Sequence, residues 1–454
     1  MSPLLRLAGI LALTCIVSAA DEPAPFADGE VVAVIGDSIT HDGRWVRFIA
    51  DYYATRFPRR DVAFLNCGIA GDMVGGALRR LDGDILAQHP TTAVIMLGMN
   101  DVGRDAYRAG GERDPQLAKI RASAQERYRS GMATLLERLQ RAGVKRIIAL
   151  SPSPYEDRAP LKAPNLPGVN DGLAACSAAV RELAAAAGTE FIDFHGPMTR
   201  LDRERQRTDP AFTVVGPDRV HPGSAGHLVM AWLFLTAQRA PALVSRVEMD
   251  GAAHRASATA ATVTGCQWSP DGASCTVLAE ALPFPLNPDA QAVRTWVPLE
   301  QDLDREELQA AGLAAGTYRL EIDGTMAGTW TANELTAGIN LAFITTSPTY
   351  RQAQAVLTLS EQRRQAQGDL RTVALVEWNW LVSAQIDPTD ATAAAAGVAA
   401  RVQKFPDAFT RKLADTYART LPKRAEVEAR IAELSAQIRE KALPKPHRYA
   451  LIRQ

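Results

Sequence analysis

The sequence predicts an open parallel α/β sheet, and three observations support that fold class. Between Glu30 and about Ala240, short unbroken apolar runs alternate with longer stretches of helical period. Unbroken apolar runs are typical of strands that are buried on both faces. Strand-helix alternation favours parallel strands joined by right-handed crossovers. Four short polar segments follow or close the runs, where ligands bind in such sheets.

The predicted elements follow one another along this part of the chain. The strands are expected at residues 31–35, 62–65, 93–97, 144–150 and 191–194. The helices are expected at residues 44–56, 76–88, 123–142, 173–187 and 224–238. Because the carboxyl ends of parallel strands meet at one edge, the residues that follow the first three runs are predicted to converge there.

The chain of 454 residues, 47% of them hydrophobic, is long enough for two or three domains at about 150 residues each. The α/β domain is expected over residues 28–245. A small β-rich module, broken by turn formers, is expected over residues 250–345. Residues 346–454 are rich in Ala, Gln, Arg and Glu and predict a helical C-terminal region.

The first 20 residues have the pattern of a secretory signal peptide. Arg6 precedes an apolar stretch, residues 7–17, and small residues lie at 18–20. The stretch is shorter than the roughly 20 residues that span a bilayer, and no later stretch of the sequence is long and apolar enough to cross one. No integral membrane segment is therefore expected after its removal. We therefore expect a bacterial periplasmic or extracellular protein. The net charge of −1 gives no electrostatic reason to expect nucleic acid as a partner, and the oligomeric state is left open.

Cysteine spacing bears on the redox compartment and on metal binding. Cys266 and Cys275 flank a turn-rich segment, and an exported chain could join them, although free thiols are an equal alternative. Cys67 and Cys176 lie on apolar backgrounds and are expected to be buried thiols. The sequence contains neither paired CxxC motifs nor HExxH, so no metal and no other cofactor are expected.

The four polar segments contain the residue types that acyl transfer requires. Ser38 follows the first run as a candidate nucleophile, and His221 is a candidate base that Asp218 would orient. The backbone of Ser38 and Gly71, together with the Asn100 side chain, would donate to a developing oxyanion. Taken singly, each residue also has a structural interpretation, such as a helix N-cap for Ser38 or a turn former for Asn100.

Together the segments Gly36-Asp37-Ser38-Ile39, 68–72, 98–101 and 218–221 resemble the four signature blocks of the SGNH, or GDSL-type, hydrolase superfamily. Ser38, Gly71, Asn100 and His221 fall on its Ser, Gly, Asn and His, and Asp218 matches its Asp. Ile39 replaces the Leu of the name-giving motif. The resemblance covers about the first 240 residues and is strongest to exported bacterial members with a C-terminal extension. It implies a three-layer α/β/α flavodoxin-like fold and metal-free ester hydrolysis through an acyl-serine.

Residues beside these blocks are expected to support them. Asp37, Asp72 and Asp101 are predicted to accept hydrogen bonds from loop backbone. His41, His195 and His227 are expected to be structural.

The expected function is an exported serine esterase that deacetylates carbohydrate, with a small-molecule or polysaccharide ester as its substrate. One alternative is a lipid-directed acylhydrolase of the lipase or lysophospholipase type. Another is a carbohydrate-binding protein whose hydrolase domain is vestigial. Trp268, Trp296 and Trp330 could stack on sugar rings, although large aromatic residues are more often part of a core.

Overall fold

The computed structural model describes residues 23–111 and 113–454. The signal peptide expected over residues 1–20 lies outside the described residues. The described chain contains a parallel α/β unit, two further β-sheets and a C-terminal group of helices.

The α/β unit is built on five parallel strands in the order β2-β1-β3-β4-β5. Their bounds are β1 (Val31–Gly36), β2 (Ala63–Gly68), β3 (Thr92–Met96), β4 (Arg146–Leu150) and β5 (Glu190–Ile192). Strands β1, β3 and β4 are buried almost throughout because helices cover both faces. This strand order is that of flavodoxin-like folds, which confirms the predicted fold class.

Seven helices belong to this unit: α1 (Ser38–His41), α2 (Arg44–Arg56), α3 (Val74–Arg80), α4 (Pro115–Arg141), α5 (Val169–Ala187), α6 (His195–Arg205) and α7 (Ser224–Ala237). Helices α2 and α7 pack together, whereas α3, α4 and α5 form a separate group, which gives the three layers. Helix α3 continues into a π-helical turn at Leu81–Ile85 and a 3-10 turn at Leu86–Gln88; another 3-10 turn spans Arg104–Tyr107. The sequence analysis did not identify α1 or α6.

Two sheets follow the α/β unit. In spatial order the first consists of residues 339–340, 305–311, 243–250 and 255–259, and the second of residues 325–331, 317–322, 447–453, 272–279 and 261–269. In chain order the elements up to β13 are β6 (Leu243–Asp250), β7 (Arg255–Thr259), β8 (Ala261–Ser269), β9 (Gly272–Ala279), a 3-10 helix (Pro288–Thr295), α8 (Leu299–Leu303), β10 (Arg305–Ala311), β11 (Thr317–Ile322), β12 (Thr325–Thr331), α9 (Ala332–Ala337) and β13 (Ile339–Asn340). A disulfide joins Cys266 of β8 to Cys275 of β9, while Cys67 and Cys176 are free and buried.

The C-terminal region is helical up to its last strand. Its elements are α10 (Pro348–Leu375), a π-helical turn (Val376–Leu381), a 3-10 turn (Val382–Ala384), α11 (Ala391–Lys404), α12 (Ala408–Thr420), a 3-10 turn (Leu421–Lys423), α13 (Arg424–Ala442) and β14 (His447–Arg453). Helix α10 packs against α2, α12 and α13. These helices share a small apolar core with Ile69, which comes just before Gly71 in the α/β unit. The helical region is therefore packed directly on the loop after β2.

Two expected boundaries need correction. Residues 447–453 do not continue the helical region, because β14 pairs with β9 and β11 inside the second sheet. The alternation of buried residues at Tyr449 and Leu451 indicates a strand, but the strand is only seven residues long. The strands that pair with β14 lie far away in the sequence. Residues 284–303, expected in the β-rich module, pack instead with α7 in the core of the α/β unit. Leu286, Val293 and Leu299 are buried there, which anchors this segment by the burial of apolar surface.

Candidate active site

Ser38 lies at the carboxyl edge of the parallel sheet, two residues after β1 ends. It begins the single-turn helix α1, which Asp37 caps by accepting a hydrogen bond from the Ile39 backbone N–H at 3.0 Å. The turn sits close against the end of β2, because a Cβ at Gly68 would collide with the backbone N of His41. The absence of a side chain at Gly68 thus lets α1 approach the sheet and fixes the position of Ser38.

Ser38, His221 and Asp218 form one hydrogen-bonded row. Ser38 Oγ lies 2.8 Å from His221 Nε2, and His221 Nδ1 lies 2.6 Å from Asp218 Oδ2. The other carboxylate oxygen of Asp218 accepts the backbone N–H groups of Val220 at 3.0 Å and His221 at 2.8 Å. With Nδ1–H donating to the carboxylate, Nε2 is free to accept the Ser38 proton.

The carboxylate of Asp218 is held in its charged form. Burial opposes the charge, but the backbone N–H and the imidazole of His221 outweigh burial and lower the pKa of Asp218. The geometry therefore combines an ionised orienting group with an imidazole that contacts a hydroxyl.

Arg219 holds this loop in place, and the sequence analysis gave it no role. Its backbone has φ 71°, a conformation that is uncommon for a residue with a side chain. The buried guanidinium donates to four backbone carbonyls of one neighbouring loop, those of Glu156, Ala159, Leu161 and Ala163. The Glu156 N–H in turn donates to the Arg219 carbonyl at 3.0 Å. No local sequence signal announces this role, because all four acceptors belong to a distant backbone segment.

Three hydrogen-bond donors face the cleft beside Ser38. The backbone N–H groups of Ser38 and Gly71 donate to no acceptor within residues 23–111 and 113–454. Gly71 has φ 80°, in the left-handed region where a side chain would be strained. Asn100 Nδ2 donates to the Asp72 carbonyl at 2.9 Å, which leaves the second N–H of the amide for a ligand. Arg104 fixes the orientation of that amide by donating to Asn100 Oδ1 at 3.3 Å.

The neighbouring carboxyls differ in what they bind. Asp37 and Asp101 accept backbone N–H groups, as predicted; the donor to Asp101 is Val74, at 2.9 Å. Burial raises the pKa of Asp37 to about 6 and that of Asp101 to about 7. Asp72 interacts with the Met73 backbone, as predicted, and its side chain also pairs with buried Arg80 at 2.9 Å.

Of the three histidines expected to be structural, His195 and His227 are buried and His41 is half-buried. His195 Nε2 lies 3.0 Å from Asn170 Oδ1. Burial lowers the pKa of His227 to about 3 and that of His41 to about 4, so both are neutral at ordinary pH. His41 nevertheless lies at the margin of the cleft.

A chain of buried ion pairs connects the C-terminal helices to the donor loop. Arg371 of α10 donates to both oxygens of Asp84, at 2.7 and 2.9 Å. Asp84 also accepts from Arg80 at 2.5 Å, and Arg80 binds Asp72, whose carbonyl holds Asn100. Burial opposes the charge on Asp84, but Arg371 and Arg80 outweigh it and lower the pKa to about 2. The position of the Asn100 amide is thus coupled to a helix that lies outside the α/β unit.

The cleft has two walls and a volume of about 1010 Å³. We call the first the strand-end wall, which consists of Ser38, Gly71, Asn100 and His221. The second is contributed by the C-terminal helices, and we call it the helical wall: Trp380, Arg401, Phe409 and Lys412. A cavity at the upper end of the usual range for ligand sites accommodates more than a small ester.

The tryptophans considered for sugar binding lie elsewhere. Trp268 stacks on His254 with ring centroids 5.7 Å apart, and Trp296 packs edge-on against Phe212 at 4.9 Å. Trp330 packs against the core of the β-rich module. None of the three lines the cleft, and the aromatic residues that do are Trp380 and Phe409.

Neither a metal cluster nor a membrane-spanning helix is present among residues 23–111 and 113–454. No group of three or more His, Cys, Asp and Glu side chains in these ranges is arranged to hold a metal ion. None of the described helices combines the length and the apolar character that crossing a membrane requires.

Comparison with known proteins gives similarities on two scales. Residues 34–229 match the model of the GDSL-like Lipase/Acylhydrolase family. An acetylxylan esterase of Geobacillus stearothermophilus is 25% identical in an alignment of 224 residues that covers 46% of this chain and 93% of that protein. The crystal structure of the G. stearothermophilus acetylxylan esterase Axe2 aligns over 47% of this chain and 95% of its own, at 25% identity and a TM-score of 0.37.

A second solved structure aligns over nearly the whole chain. It is BT4096, described as a gut microbial diltiazem-metabolizing enzyme, with 30% identity and a TM-score of 0.90. The alignment covers 96% of this chain and 100% of that one. The similarity to BT4096 therefore includes the β-sheets and helices that follow the α/β unit, whereas the acetylxylan esterase corresponds to less than half of the chain.

Proposed function

The chain belongs to the GDSL-like lipase/acylhydrolase family of ester hydrolases, and from that premise we propose that it is an exported serine esterase that removes acetyl groups from carbohydrate. The observation that carries the catalytic part is the hydrogen-bonded row of Ser38, His221 and Asp218. In this arrangement His221 can act as the base that activates the Ser38 hydroxyl, and the Asp218 carboxylate orients His221.

The proposed reaction has two acyl-transfer steps. Ser38 Oγ attacks the ester carbonyl carbon as its proton passes to His221 Nε2, and the N–H groups of Ser38, Gly71 and Asn100 donate hydrogen bonds to the negative oxygen. The ester C–O bond then breaks, and the imidazolium gives its proton to the sugar oxygen that leaves. A water molecule, deprotonated by His221, next attacks the acyl-serine, which releases acetate and restores the Ser38 hydroxyl.

Two observations support an acetylated carbohydrate as the substrate. The relative that matches the α/β unit is named for its action on acetylxylan. The helical wall offers cationic and aromatic side chains, which suit a polar leaving group better than a long acyl chain. Together they favour the deacetylase over the lipid-directed alternative.

Export is supported by the N-terminal pattern and by the disulfide. Residues 1–20 have the composition of a signal peptide, and Cys266 and Cys275 are paired. Disulfides persist mainly in oxidising compartments such as the bacterial periplasm. Expression of the full chain in a bacterium tests this: we expect a periplasmic or secreted product whose N-terminus is near Asp21. A product that stays in the cytoplasm with residues 1–20 attached would contradict export.

A substrate panel tests the esterase and its acyl preference. Initial rates are measured on nitrophenyl acetate, butyrate and octanoate, and acetate release is measured on acetylated plant and microbial polysaccharides. Ser38→Ala serves as the inactive control. We expect the highest kcat/KM on acetyl esters and release of acetate from at least one polysaccharide. A rate that rises with acyl length would instead support the lipid-directed acylhydrolase. Diltiazem is a useful further test compound, because BT4096, which aligns over nearly the whole chain, is described as a diltiazem-metabolizing enzyme.

A further inference from the structure

The cleft carries positive charge that the chain as a whole lacks. The sequence has 50 basic and 51 acidic residues. The cleft, in contrast, is lined by five arginine and lysine side chains: Arg79, Arg104, Arg364, Arg401 and Lys412. Only two carboxylates, Asp42 and Asp369, line it with them. The excess of cations is therefore local to this site.

The carboxylates in the cleft already have partners. Asp42 binds Arg44 through both of its oxygens, at 2.5 and 2.9 Å, and Asp369 lies 3.6 Å from Arg419. Arg364 is also satisfied, because it donates to both oxygens of Glu361, at 2.9 and 2.6 Å. These groups therefore contribute little unpaired charge.

The other four cations form no ion pair within the described ranges, residues 23–111 and 113–454. They are Arg79, Arg104, Arg401 and Lys412, and they come from both sides of the cleft. Arg104 has a single side-chain hydrogen bond, to the neutral amide oxygen of Asn100. A cleft with several unpaired cations and no unpaired carboxylate concentrates anions from solution.

Arg401 is held in an orientation that suits anion binding. Its guanidinium carbon lies 4.2 Å from the centroid of the Phe405 ring and 5.7 Å from that of Trp380. Contact with aromatic rings orders the side chain while its N–H donors stay unused, and a guanidinium can bind a carboxylate through two parallel hydrogen bonds. Lys412 adds a second charge from the neighbouring helix α12.

We propose that the helical wall binds an anionic group of the substrate, so that the acetyl ester is carried by an acidic sugar chain. The inference rests on the proposed function and names its substrate class. The anionic group is a uronic acid carboxylate or a sulfate, since both match the donors of Arg401 and Lys412. Phe409, which is 60% exposed in the same wall, supplies an apolar face for a sugar ring.

The first test compares matched substrates that differ only in charge. Acetylated uronic-acid oligosaccharides, their carboxyl-reduced neutral counterparts and acetylated sulfated oligosaccharides are assayed by acetate release. We expect kcat/KM about tenfold higher on the acidic substrates, as for charge-assisted hydrogen bonds. The preference should shrink as NaCl rises from about 50 to about 500 mM, because salt screens exposed charges. Equal kcat/KM on acidic and neutral substrates would overturn the proposal, and the sulfated arm identifies which anion is preferred.

The second test removes the charges. The double variant Arg401→Gln/Lys412→Gln should raise KM for the acidic substrate about tenfold. Lys423→Gln is the matched control, because Lys423 belongs to the same helical region and does not line the cleft. An unchanged KM in the double variant would overturn the anion site.

A binding measurement separates this inference from the proposed function. Unacetylated acidic oligosaccharides should inhibit hydrolysis of nitrophenyl acetate by the wild type, and the double variant should resist that inhibition. Neutral oligosaccharides of equal length are the control. Inhibition specific to the acidic sugars supports the anion site even if the polysaccharide panel releases no acetate. Without such inhibition the anion site fails, while loss of nitrophenyl acetate turnover in Ser38→Ala still supports the serine esterase.

Discussion

The two walls of the cleft hold their side chains in different ways. In the strand-end wall, Ser38, Asn100 and His221 are short side chains tied by hydrogen bonds to residues at the ends of strands or in anchored loops. In the helical wall, the side chains of Arg401 and Lys412 form no hydrogen bond or ion pair with the residues that the structure describes, and Phe409 is largely exposed. Reacting groups must be held to within about an ångström, whereas groups that select a substrate act through charge and contact area. We therefore infer that the strand-end wall carries the chemistry and that the helical wall selects the substrate.

The largest effect should come from removing the proposed nucleophile. Ser38→Ala should lower kcat at least about 10³-fold on every ester, because within residues 23–111 and 113–454 no other hydroxyl is bonded to the His221 imidazole. The thermal unfolding midpoint should stay near that of the wild type, which shows that the fold survives. Substantial turnover by a folded Ser38→Ala protein would remove Ser38 from the mechanism.

Loss of a donor in the strand-end wall should have the next largest effect. Asn100→Ala should lower kcat by about 10²-fold or more, as for removal of an oxyanion donor, with little change in KM. Steady-state kinetics on nitrophenyl acetate measure this. Asn165→Ala serves as a control amide, since Asn165 bonds a loop carbonyl and does not line the cleft. If kcat is unaffected in Asn100→Ala, the amide does not stabilise the transition state.

The pH dependence tests whether Asp218 or another group limits activity in acid. The pKa of Asp218 is lowered, so its charge is fully present above its ordinary value of 3.8 and is lost only as the pH falls through the lowered pKa. A decline of activity on the acid side above pH 4 therefore reports a group other than Asp218. Because the mechanism needs a deprotonated base, we expect kcat/KM to fall up to about tenfold per pH unit there. A flat profile down to about pH 4 would contradict general-base catalysis.

A smaller effect should follow from breaking the link between the walls. Arg371→Met removes the bidentate partner of Asp84 and should lower the free energy of unfolding by about 3 kcal/mol, as for a buried ion pair that loses one member. Ion pairs connect Asp84 through Arg80 to Asp72, whose carbonyl accepts a hydrogen bond from Asn100. We therefore expect kcat also to fall about tenfold at temperatures where the variant is folded.

Arg430→Met is the control for this prediction, because Arg430 forms an exposed ion pair with Glu433. Exposed pairs contribute at most about 1 kcal/mol, so its stability and kcat should stay near wild type. A stable Arg371→Met enzyme with wild-type kcat would show that the helical region does not position the donors.

The smallest effect belongs to the helical wall. Phe409→Ala should raise KM for an acetylated oligosaccharide severalfold, in keeping with about 1 kcal/mol for an aromatic contact. Its kcat on nitrophenyl acetate should not change, and neither should its stability, because the ring is 60% exposed. Leu443→Ala, which removes another exposed apolar side chain away from the cleft, should change neither parameter. Equal KM values for wild type and Phe409→Ala would remove this ring from substrate binding.

The strands and helices of the α/β unit could be predicted from the sequence, because apolar runs and helical periodicity are local patterns. The five apolar runs correspond to β1 to β5, and helix α2 has the predicted bounds Arg44–Arg56. The candidate site residues were also found, since Ser38, Gly71 and Asn100 follow consecutive strands and the motif resemblance added His221. The helices that were missed there are the single turn of α1 and the 11-residue helix α6.

The structure of the second half of the chain was harder to predict from the sequence, for physical reasons. Strand β14 joins a sheet whose other strands lie more than 100 residues earlier, and a short alternating run does not reveal its partners. The three tryptophans Trp268, Trp296 and Trp330 gave no information about sugar binding, because packing decides whether an aromatic residue faces a cleft or a core. Arg219 acts through backbone acceptors, which have no side-chain signature.

By itself the sequence determined the layered α/β fold and the residues gathered at its carboxyl edge, because apolar periodicity and strand-end position are properties of neighbouring residues. Tertiary structure alone decided that the C-terminal helices close the cleft. The ion pair of Arg371 with Asp84 spans 287 residues, and the packing of Ile69 among those helices depends on contacts of similar range. Contacts of this range form because folding buries the surfaces of elements that are distant in the sequence. Neighbouring residues give no sign of them, so their effect on the site can be identified only from the tertiary structure.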